Sequence, residues 1–358
     1  MSKLVQAQPL RALARRILIA GGAPEAEASV VADHLVDANL AGHDSHGVGM
    51  VPTYTWGLGC GACKGDAHAQ LVTDNGAVVV VDGQFGFGQV VGPEAMEIVI
   101  ERAREHGVAA LALRNAHHLG RIGHYAEQAV AAGMISMHYV NVVGHPPTVA
   151  PFGAAEGRLN TNPYCCGVPV EGGEPIVLDM ATSFIALGKV REAHARGDQV
   201  PEGALVDARG QPTTDPGVLV GDPGSAKGAL TTFGLHKGYG LSLICDLLGG
   251  ALAGSWPVNR EYDGPPTVFN HMLAIVLRPD AVGNSEEVHA HFRSLVDSMH
   301  DAKPAEGVEQ VLVPGDPERA SRVQRGRDGI PLADGTWASL LATGEQLGCS
   351  RDELEAMV

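Results

Sequence analysis

Apolar positions recur at helical spacing near both ends of the chain and gather into strand-like runs in its middle. Leu10, Ala14, Ile17 and Leu18 share one face over residues 9–20, and Val30, Val31, Leu35, Val36 and Leu40 form a stripe over 24–41. Pro24 suits the first turn of the second predicted helix, and Gly42 its end. Ala77 to Val81 reads as a buried strand, followed by a helix over about 93–106 and a second strand over 108–113. After a polar turn the pattern predicts a helix that stops at Gly133 and strands over 134–142, 175–179 and 267–277. Further helices are expected near 183–194, 238–253, 285–300 and 336–348. Residues 197–230 carry so many Gly and Pro that they read as one long irregular connection. The middle is therefore mixed α/β and both ends are helical; at 358 residues, two lobes are expected.

Composition narrows the function classes. With 25 basic against 41 acidic residues the formal charge is -16, which repels nucleic acid and anionic membranes, and no basic tract offsets it. Glycine is abundant at 47 residues while aromatics are 4%, a balance that favours tight turns over stacking platforms for single-stranded nucleic acid. A small-molecule partner is expected. Cys60, Cys63, Cys165, Cys166, Cys245 and Cys349 are too few and too irregular for a disulfide framework, which points to a reducing cytoplasm. Cys60-Gly-Ala-Cys63 has the spacing of half a zinc site, but no second pair follows it. Arg11, Arg15 and Arg16 lie among apolar residues at helical spacing, so no export signal is read. The most apolar stretch, 239–254, is interrupted by Asp246 and glycines and is too short to span a bilayer.

The candidate chemistry begins at Gly42-His43-Asp44-Ser45-His46-Gly47-Val48-Gly49-Met50, where a helical pattern ends in a cluster of polar groups. An imidazole exchanges a proton near neutrality, and a neighbouring Ser or Asp can fix its tautomer. Taken alone, the stretch is equally a helix end capped by His43 with His46 exposed in a loop. The second cluster, His117-His118-Leu119-Gly120-Arg121-Ile122-Gly123-His124, stands between a strand and a helix, where anionic ligands bind. Arg121 there suits a carboxylate or a pyrophosphate, and His118 a carbonyl. At Leu178-Asp179-Met180-Ala181-Thr182-Ser183, Asp179 is placed to orient a histidine, while helix capping by Thr182 or Ser183 explains the cluster as well. His236-Lys237 puts cationic groups at the positive end of a predicted helix, which points to a phosphate. Asn270 interrupts an apolar strand and needs partners if buried; a core network would supply them.

Strand 77–81 runs into Asp82-Gly83-Gln84-Phe85-Gly86-Phe87-Gly88-Gln89-Val90-Val91-Gly92 and a helix, which imitates a Rossmann turn. The spacing fails. Gly86-x-Gly88 requires a third glycine where Val91 stands, and the next strand ends at Arg114 without the acidic residue that would hold a ribose. A tight structural turn, or a wall of the active cleft, is the alternative.

Together these stretches resemble the malate/L-lactate/ureidoglycolate dehydrogenase family. The resemblance runs from the first helix to about Leu332 and rests on His43 to Gly47, Asp82 to Gln89, Asn115 to Gly123, Thr161-Asn162-Pro163, Asp179 to Ser183, Gly188-Lys189, His236 to Tyr239 and Pro314-Gly315. It implies a non-Rossmann α/β fold with a central mixed-sheet lobe and a helical lobe built from both ends of the chain. The corresponding expectation is a helical lobe over 1–75, a mixed α/β cofactor-binding lobe over 76–310, and a segment over 311–358 that returns to the helical lobe.

The resemblance also implies roles. His46 matches the family's proton donor and acceptor and lines its nicotinamide pocket, Ser45 and Asp179 match the proposed relay, and His118 matches a substrate-activating histidine. Gly120, Arg121 and Ile122, then Val177, Leu178, Asp179, Met180 and Ala181, and also His236 and Asn270, match cofactor contacts. Gly315, Asp316, Pro317 and Glu318 match a late cofactor loop. The implied activity is hydride transfer between a 2-hydroxy and a 2-oxo acid with NAD, or alternatively NADP, in a homodimer whose cofactor lies between lobes. One departure stands out, because Met50 occupies the place where many relatives carry a substrate-binding arginine. The rival reading is a metal-dependent hydrolase with His43, Asp44, His46, His117, His118, His124 and Asp179 as ligands, although neither His-x-His nor His-Glu-x-x-His spacing occurs among them.

Overall fold

The computed structural model describes residues 2–220 and 228–358, so part of the stretch read as irregular, 221–227, lies outside the described residues. The strands are β1 (Ser2–Val5), β2 (Gln70–Asp74), β3 (Val78–Asp82), β4 (Val108–His117), β5 (Ile135–Val143), β6 (Tyr164–Val168), β7 (Ile176–Met180), β8 (Leu205–Val206), β9 (Pro212–Thr213), β10 (Ala229–Leu230), β11 (Phe269–Leu277) and β12 (Ile330–Ala333). The helices are α1 (Ala7–Ala20), α2 (Glu25–Leu40), α3 (Val51–Gly59), α4 (Gly88–His106), α5 (Gly123–Ala131), α6 (Leu187–Arg196), α7 (Gly217–Val220), α8 (His236–Cys245), α9 (Ser285–His300), α10 (Asp316–Asp328), α11 (Asp334–Gln346) and α12 (Arg351–Ala356). A π-helical turn, Asp246–Gly254, continues α8.

The central sheet has the order β2-β3-β4-β11-β5-β6-β7, and β3 with β4 is its one parallel pair. A Rossmann sheet is parallel throughout its nucleotide-binding half, so this topology agrees with the failed glycine spacing. Val79 and Val81 of β3 and Leu111 and Leu113 of β4 bury one face of the sheet against Val91, Met96 and Ile100 of α4. A separate core is shared by the two ends of the chain. Leu10, Ile17, Leu35 and Tyr54 pack there with Ile330, Leu340 and Leu354, and β1 pairs antiparallel with β12 from Ser2 opposite Ala333 to Val5 opposite Ile330. A small third core around Val149, Leu159, Val190 and Leu205 underlies the β10-β8-β9 sheet, so the stretch expected to be irregular carries structure of its own.

Several boundaries differ from the expected ones for identifiable reasons. The helix expected to open at Pro93 begins at Gly88. Its first turn lies against the backbone after β4: a Cβ on Gly88 would stand 2.5 Å from Leu119 Cα and 2.7 Å from the carbonyl oxygen of His117. The glycine-rich run is therefore a close-packing device between α4 and the histidine turn. Strand β4 continues to His117, which makes the first of the clustered histidines a strand residue. Gly315 to Glu318 is not a loop but the entry to a helix: Gly315 has φ 102 and caps α10, with Pro317 in the first turn. Helix α10 escaped the hydrophobic pattern because Val323 is its one large apolar residue and stands exposed.

The interior holds His117, pushed down to about 4 by burial, His138, pushed down to about 3 by burial, and His271, pushed down to about 4 mainly by burial. Below about pH 6.5 the unfolded chain gains protons that these folded imidazoles refuse, so stability is highest above that pH and is lost as pH falls toward 4. The urea midpoint is expected to drop across this window, against the opposing contribution of the raised carboxyls Asp179 and Asp246; a midpoint that rises on acidification overturns the assignment. Gly88→Ala, which forces a methyl into backbone atoms that cannot yield, is expected to cost about 1–3 kcal/mol and to lower the same midpoint at pH 7. An unchanged midpoint would show that the close approach carries no weight.

Candidate active site

Helix α2 ends at Leu40, and the chain then turns through two short 3-10 segments, Asp44–His46 and Val48–Met50, before α3. The loop between is tied down at several points. Asn39, 2% exposed, accepts from the Val48 N–H at 2.9 Å and donates to Asp44 Oδ1 at 2.7 Å. Arg325 of α10 donates to the Asn39 carbonyl at 2.6 Å and to both oxygens of Asp44 at 2.7 and 3.0 Å. His43 Nε2 lies 3.1 Å from Glu318 Oε1, and Ser321 Oγ donates to the Leu40 carbonyl at 2.8 Å. Asp44 is thus an anchor for the loop, and of its two polar neighbours it is Ser45 that serves His46.

Ser45 Oγ sits 2.9 Å from His46 Nδ1, and Nε2 has no partner among the described residues. Burial pushes His46 down to about 4, helped by the positive potential of His43 and Arg121, so the ring is neutral near pH 7. His118 stacks beside it, with ring centroids 5.4 Å apart and planes at 23°. Burial and the proximity of His46 hold His118 well below the usual histidine range too. Tyr54 OH lies 2.8 Å from His118 Nδ1. The sequence reading missed Tyr54, which lies eight residues past His46 in an apolar run; a tyrosine two helical turns from a candidate base is the signal that was there.

Arg121 is 2% exposed, pairs with Glu127, and leaves Nη1 without a partner. Its neighbour Asp179 accepts from the Gly123 N–H, at the start of α5, at 2.7 Å. Burial raises the Asp179 carboxyl, against the pull of His43 and Arg121. Among the described residues no hydrogen bond joins Asp179 to Ser45 or His46, so of the relay implied by the resemblance the Ser45–His46 contact is the part made here. Arg121, Val177, Asp179, Gly315 and Glu318, drawn from three separate stretches, line one cavity of about 110 Å3 together with Arg319. Leu178, Met180 and Ala181 continue the same strand and its end, half-buried. Gly120, with φ 71, and Ile122, 3% exposed, form the turn that carries Arg121.

Other expected positions lie apart from this cavity. Asn270 is 3% exposed and fully engaged: its Oδ1 accepts from the Leu119 N–H at 2.8 Å and its Nδ2 donates to the Asn141 carbonyl at 2.8 Å, the core network that the sequence allowed as the alternative. His236 is exposed at the start of α8 with Phe152 5.8 Å away. Asp316 ties its own helix entry together, accepting from Val313 N–H and Arg319 and meeting His300 at 2.8 Å, and Pro317 is exposed. The histidines proposed as metal ligands diverge. His117 bonds Thr267, His43 meets Glu318, His124 packs on His34, and among the described residues no three His, Cys, Asp or Glu side chains gather as a metal site. The Cys60 thiol is exposed while Cys63 is buried, and burial raises its thiol, which fits a packing role.

The arrangement offers a neutral imidazole beside a second one, with a buried guanidinium facing a cavity. That is acid/base chemistry near a recess lined by both guanidinium and carboxylate groups, and known proteins resemble the chain over its whole length. A profile described as malate/L-lactate dehydrogenase matches residues 5–341. Hydroxycarboxylate dehydrogenase B of Escherichia coli is 42% identical over 352 residues, 98% of this chain and 96% of that protein. L-lactate dehydrogenase of Cupriavidus necator is 39% identical over 94% of this chain and 96% of its own length. The solved sulfolactate dehydrogenase of Methanocaldococcus jannaschii superposes with a TM-score of 0.85 at 34% identity, covering 98% of this chain and 99% of that one. A mixed sheet of non-Rossmann order, a paired-histidine cleft and full-length similarity to oxidoreductases replace the hydrolase alternative: the chain is an oxidoreductase and belongs to the malate/L-lactate dehydrogenase family.

Proposed function

We propose that the protein interconverts a 2-hydroxycarboxylate and the matching 2-oxocarboxylate, with His46 exchanging the hydroxyl proton and a nicotinamide dinucleotide, NAD in preference to NADP, as the redox partner. The observation that carries this reading is the Ser45-held, neutral His46 stacked on His118. A bound nicotinamide supplies or accepts the hydride. The residues around the cavity fit such a group: Arg121 brings an unpartnered Nη1, and Gly315 opens the N-terminal end of α10 onto the same space. Arg121, Val177 to Ala181 and Gly315 to Glu318 would hold the dinucleotide. The cavity's carboxylates Glu127, Glu174, Asp179 and Glu318 outnumber Arg121, Arg319 and Arg322, which supports a cofactor without an added phosphate.

During oxidation His46 takes the hydroxyl proton on Nε2 while Ser45 holds Nδ1 and with it the plane of the ring. During reduction the base must arrive protonated. A substrate carboxylate bound beside it raises the imidazole's proton affinity from its low value, so proton uptake accompanies the 2-oxo acid. Met50 packs against the helical core, which leaves recognition of the substrate oxygens to the histidine pair and to residues outside the resemblance motifs.

The reading includes a homodimer. A recess of about 110 Å3 holds only part of a dinucleotide, and Leu235, Leu243, Ile244, Leu247 and Leu252 leave apolar surface exposed along α8 and its π-turn. A second copy covers such a face. The six free cysteines support a reducing cytoplasm, and among the described residues no helix is long and apolar enough to cross a membrane.

A panel of 2-oxo acids assayed separately with NADH and NADPH tests the activity; turnover with none of them removes the reading. His46→Ala is expected to lower turnover about 100- to 10,000-fold while NADH affinity, followed by fluorescence, changes little. Near-normal turnover in that variant would exclude His46 as the base. The wild type is expected to sediment at twice 37.2 kDa and Leu247→Asp at the single-chain mass; a wild-type monomer would rule out the dimer.

A further inference from the structure

The glycine-rich run that imitates a nucleotide-binding turn delivers one polar side chain to the active site. Gln89, 0% exposed, sits in the first turn of α4, where the absence of a side chain on Gly88 lets the helix approach the histidine turn. Its Nε2 lies 3.1 Å from the His118 backbone oxygen and 2.8 Å from Tyr54 OH. A backbone carbonyl only accepts, so the amide must turn its NH2 toward it. The two N–H groups are then both committed, one to the His118 carbonyl and one to the Tyr54 oxygen. Gln89 Oε1 has no partner in this buried site, a cost of about 1–3 kcal/mol that is borne to keep the amide in this orientation.

The consequence propagates. Tyr54, which burial keeps protonated, already accepts from Gln89, and His118 Nδ1 at 2.8 Å is the one other polar atom within hydrogen-bond reach of its O–H among the described residues. Nδ1 must therefore present a lone pair, and the proton of the neutral ring resides on Nε2. That Nε2 makes no hydrogen bond among the described residues and is not among the nitrogens sealed from solvent.

We propose that Gln89 is a positioning residue that, through Tyr54, fixes His118 as its Nε2–H tautomer and so presents a neutral hydrogen-bond donor to the substrate beside the acceptor His46. This rests on the dehydrogenase reading for its purpose but not for its geometry. The pair divides the work: His46 exchanges the proton, and His118 holds a carbonyl or carboxylate oxygen without adding charge. With Met50 where an arginine would stand, a neutral donor at this place favours substrates held by hydrogen bonds at the reacting end.

The test is 15N spectroscopy of the ring nitrogens in histidine-labelled protein at pH 7, where bare and protonated nitrogens are well separated. His118 is assigned among the 16 histidines by the signals lost in His118→Gln. The wild type is expected to show a protonated Nε2 and a bare Nδ1, a result that needs no folded Gln89 variant; a protonated Nδ1 overturns the proposal. Gln89→Met is expected to yield a mixture of tautomers and a kcat lowered about 10- to 100-fold, with unchanged NADH affinity. Gln89→Glu, closest in shape but able to accept from Tyr54, is expected to lose as much as Gln89→Met. A tautomer that stays on Nε2 in both variants assigns Gln89 to packing alone and overturns the proposal. Absence of any dehydrogenase activity in the wild type would instead defeat the functional reading while leaving the tautomer result standing.

Discussion

Arg325 grips Asp44 across 281 residues of sequence, and the geometry of the candidate site depends on that grip. A short loop after a helix is ordinarily the most mobile part of a lobe, yet a base must be held within fractions of an ångström of its target. Here the guanidinium engages both carboxylate oxygens and the carbonyl of Asn39, so the helix end and the loop are fixed by one group. Arg325 is 18% exposed while Asp44 stays open to water at 45%, so the two-pronged geometry rather than burial sets this pair above an ordinary surface bridge. Along the same helix, Glu318 meets His43 and Arg319 donates to the Pro175 carbonyl at 2.8 Å beside the cavity. Helix α10 thereby links the recess that carries Arg121 to the loop that carries His46.

Burial sets the chemistry of the histidines. Desolvation leads the shift of His34, His46, His117 and His118 alike, and all four are held below the ordinary imidazole range. In water such a group would be an indifferent mixture of acid and base near neutrality. Within the cleft it is a neutral ring whose role is decided by the hydrogen bond on its other nitrogen. Ser45 and Tyr54 are those second partners, and neither carries a charge that would tempt the ring to ionise.

Much of the fold was legible because its strands are continuous apolar runs. Val78 to Val81, Val108 to Leu113 and residues 269–277 announce a buried sheet, and the stripes before Gly42 announce the first two helices. Helix α10 was not legible, since a helix with Val323 as its one large apolar residue leaves no periodic trace. Strand β1 and its partner β12 were missed for another reason: four residues are too short a window for a period of two, and their pairing joins opposite ends of the chain. In the site, the polar residues at strand and helix ends were visible as a cluster, and His46, His118 and Arg121 do converge. Tyr54 and Gln89 stayed hidden, because a buried tyrosine and glutamine read as core until their partners are known. Asn270 is an apolar-strand asparagine whose partners only the structure reveals: it ties β11 to β5 and the histidine turn.

The core shared by both ends of the chain has a consequence for synthesis. Ile330, Leu340 and Leu354 complete the packing around α1 and α2, and Arg325 completes the loop between α2 and α3. Residues made early thus wait for residues made much later. On the ribosome the sheet lobe has its own strands in hand before α10 is made, whereas the histidine loop remains without its anchor until that helix emerges. A nascent chain stalled before Arg325 would carry a complete sheet and an unanchored histidine loop, so the site is assembled only once α10 has been made.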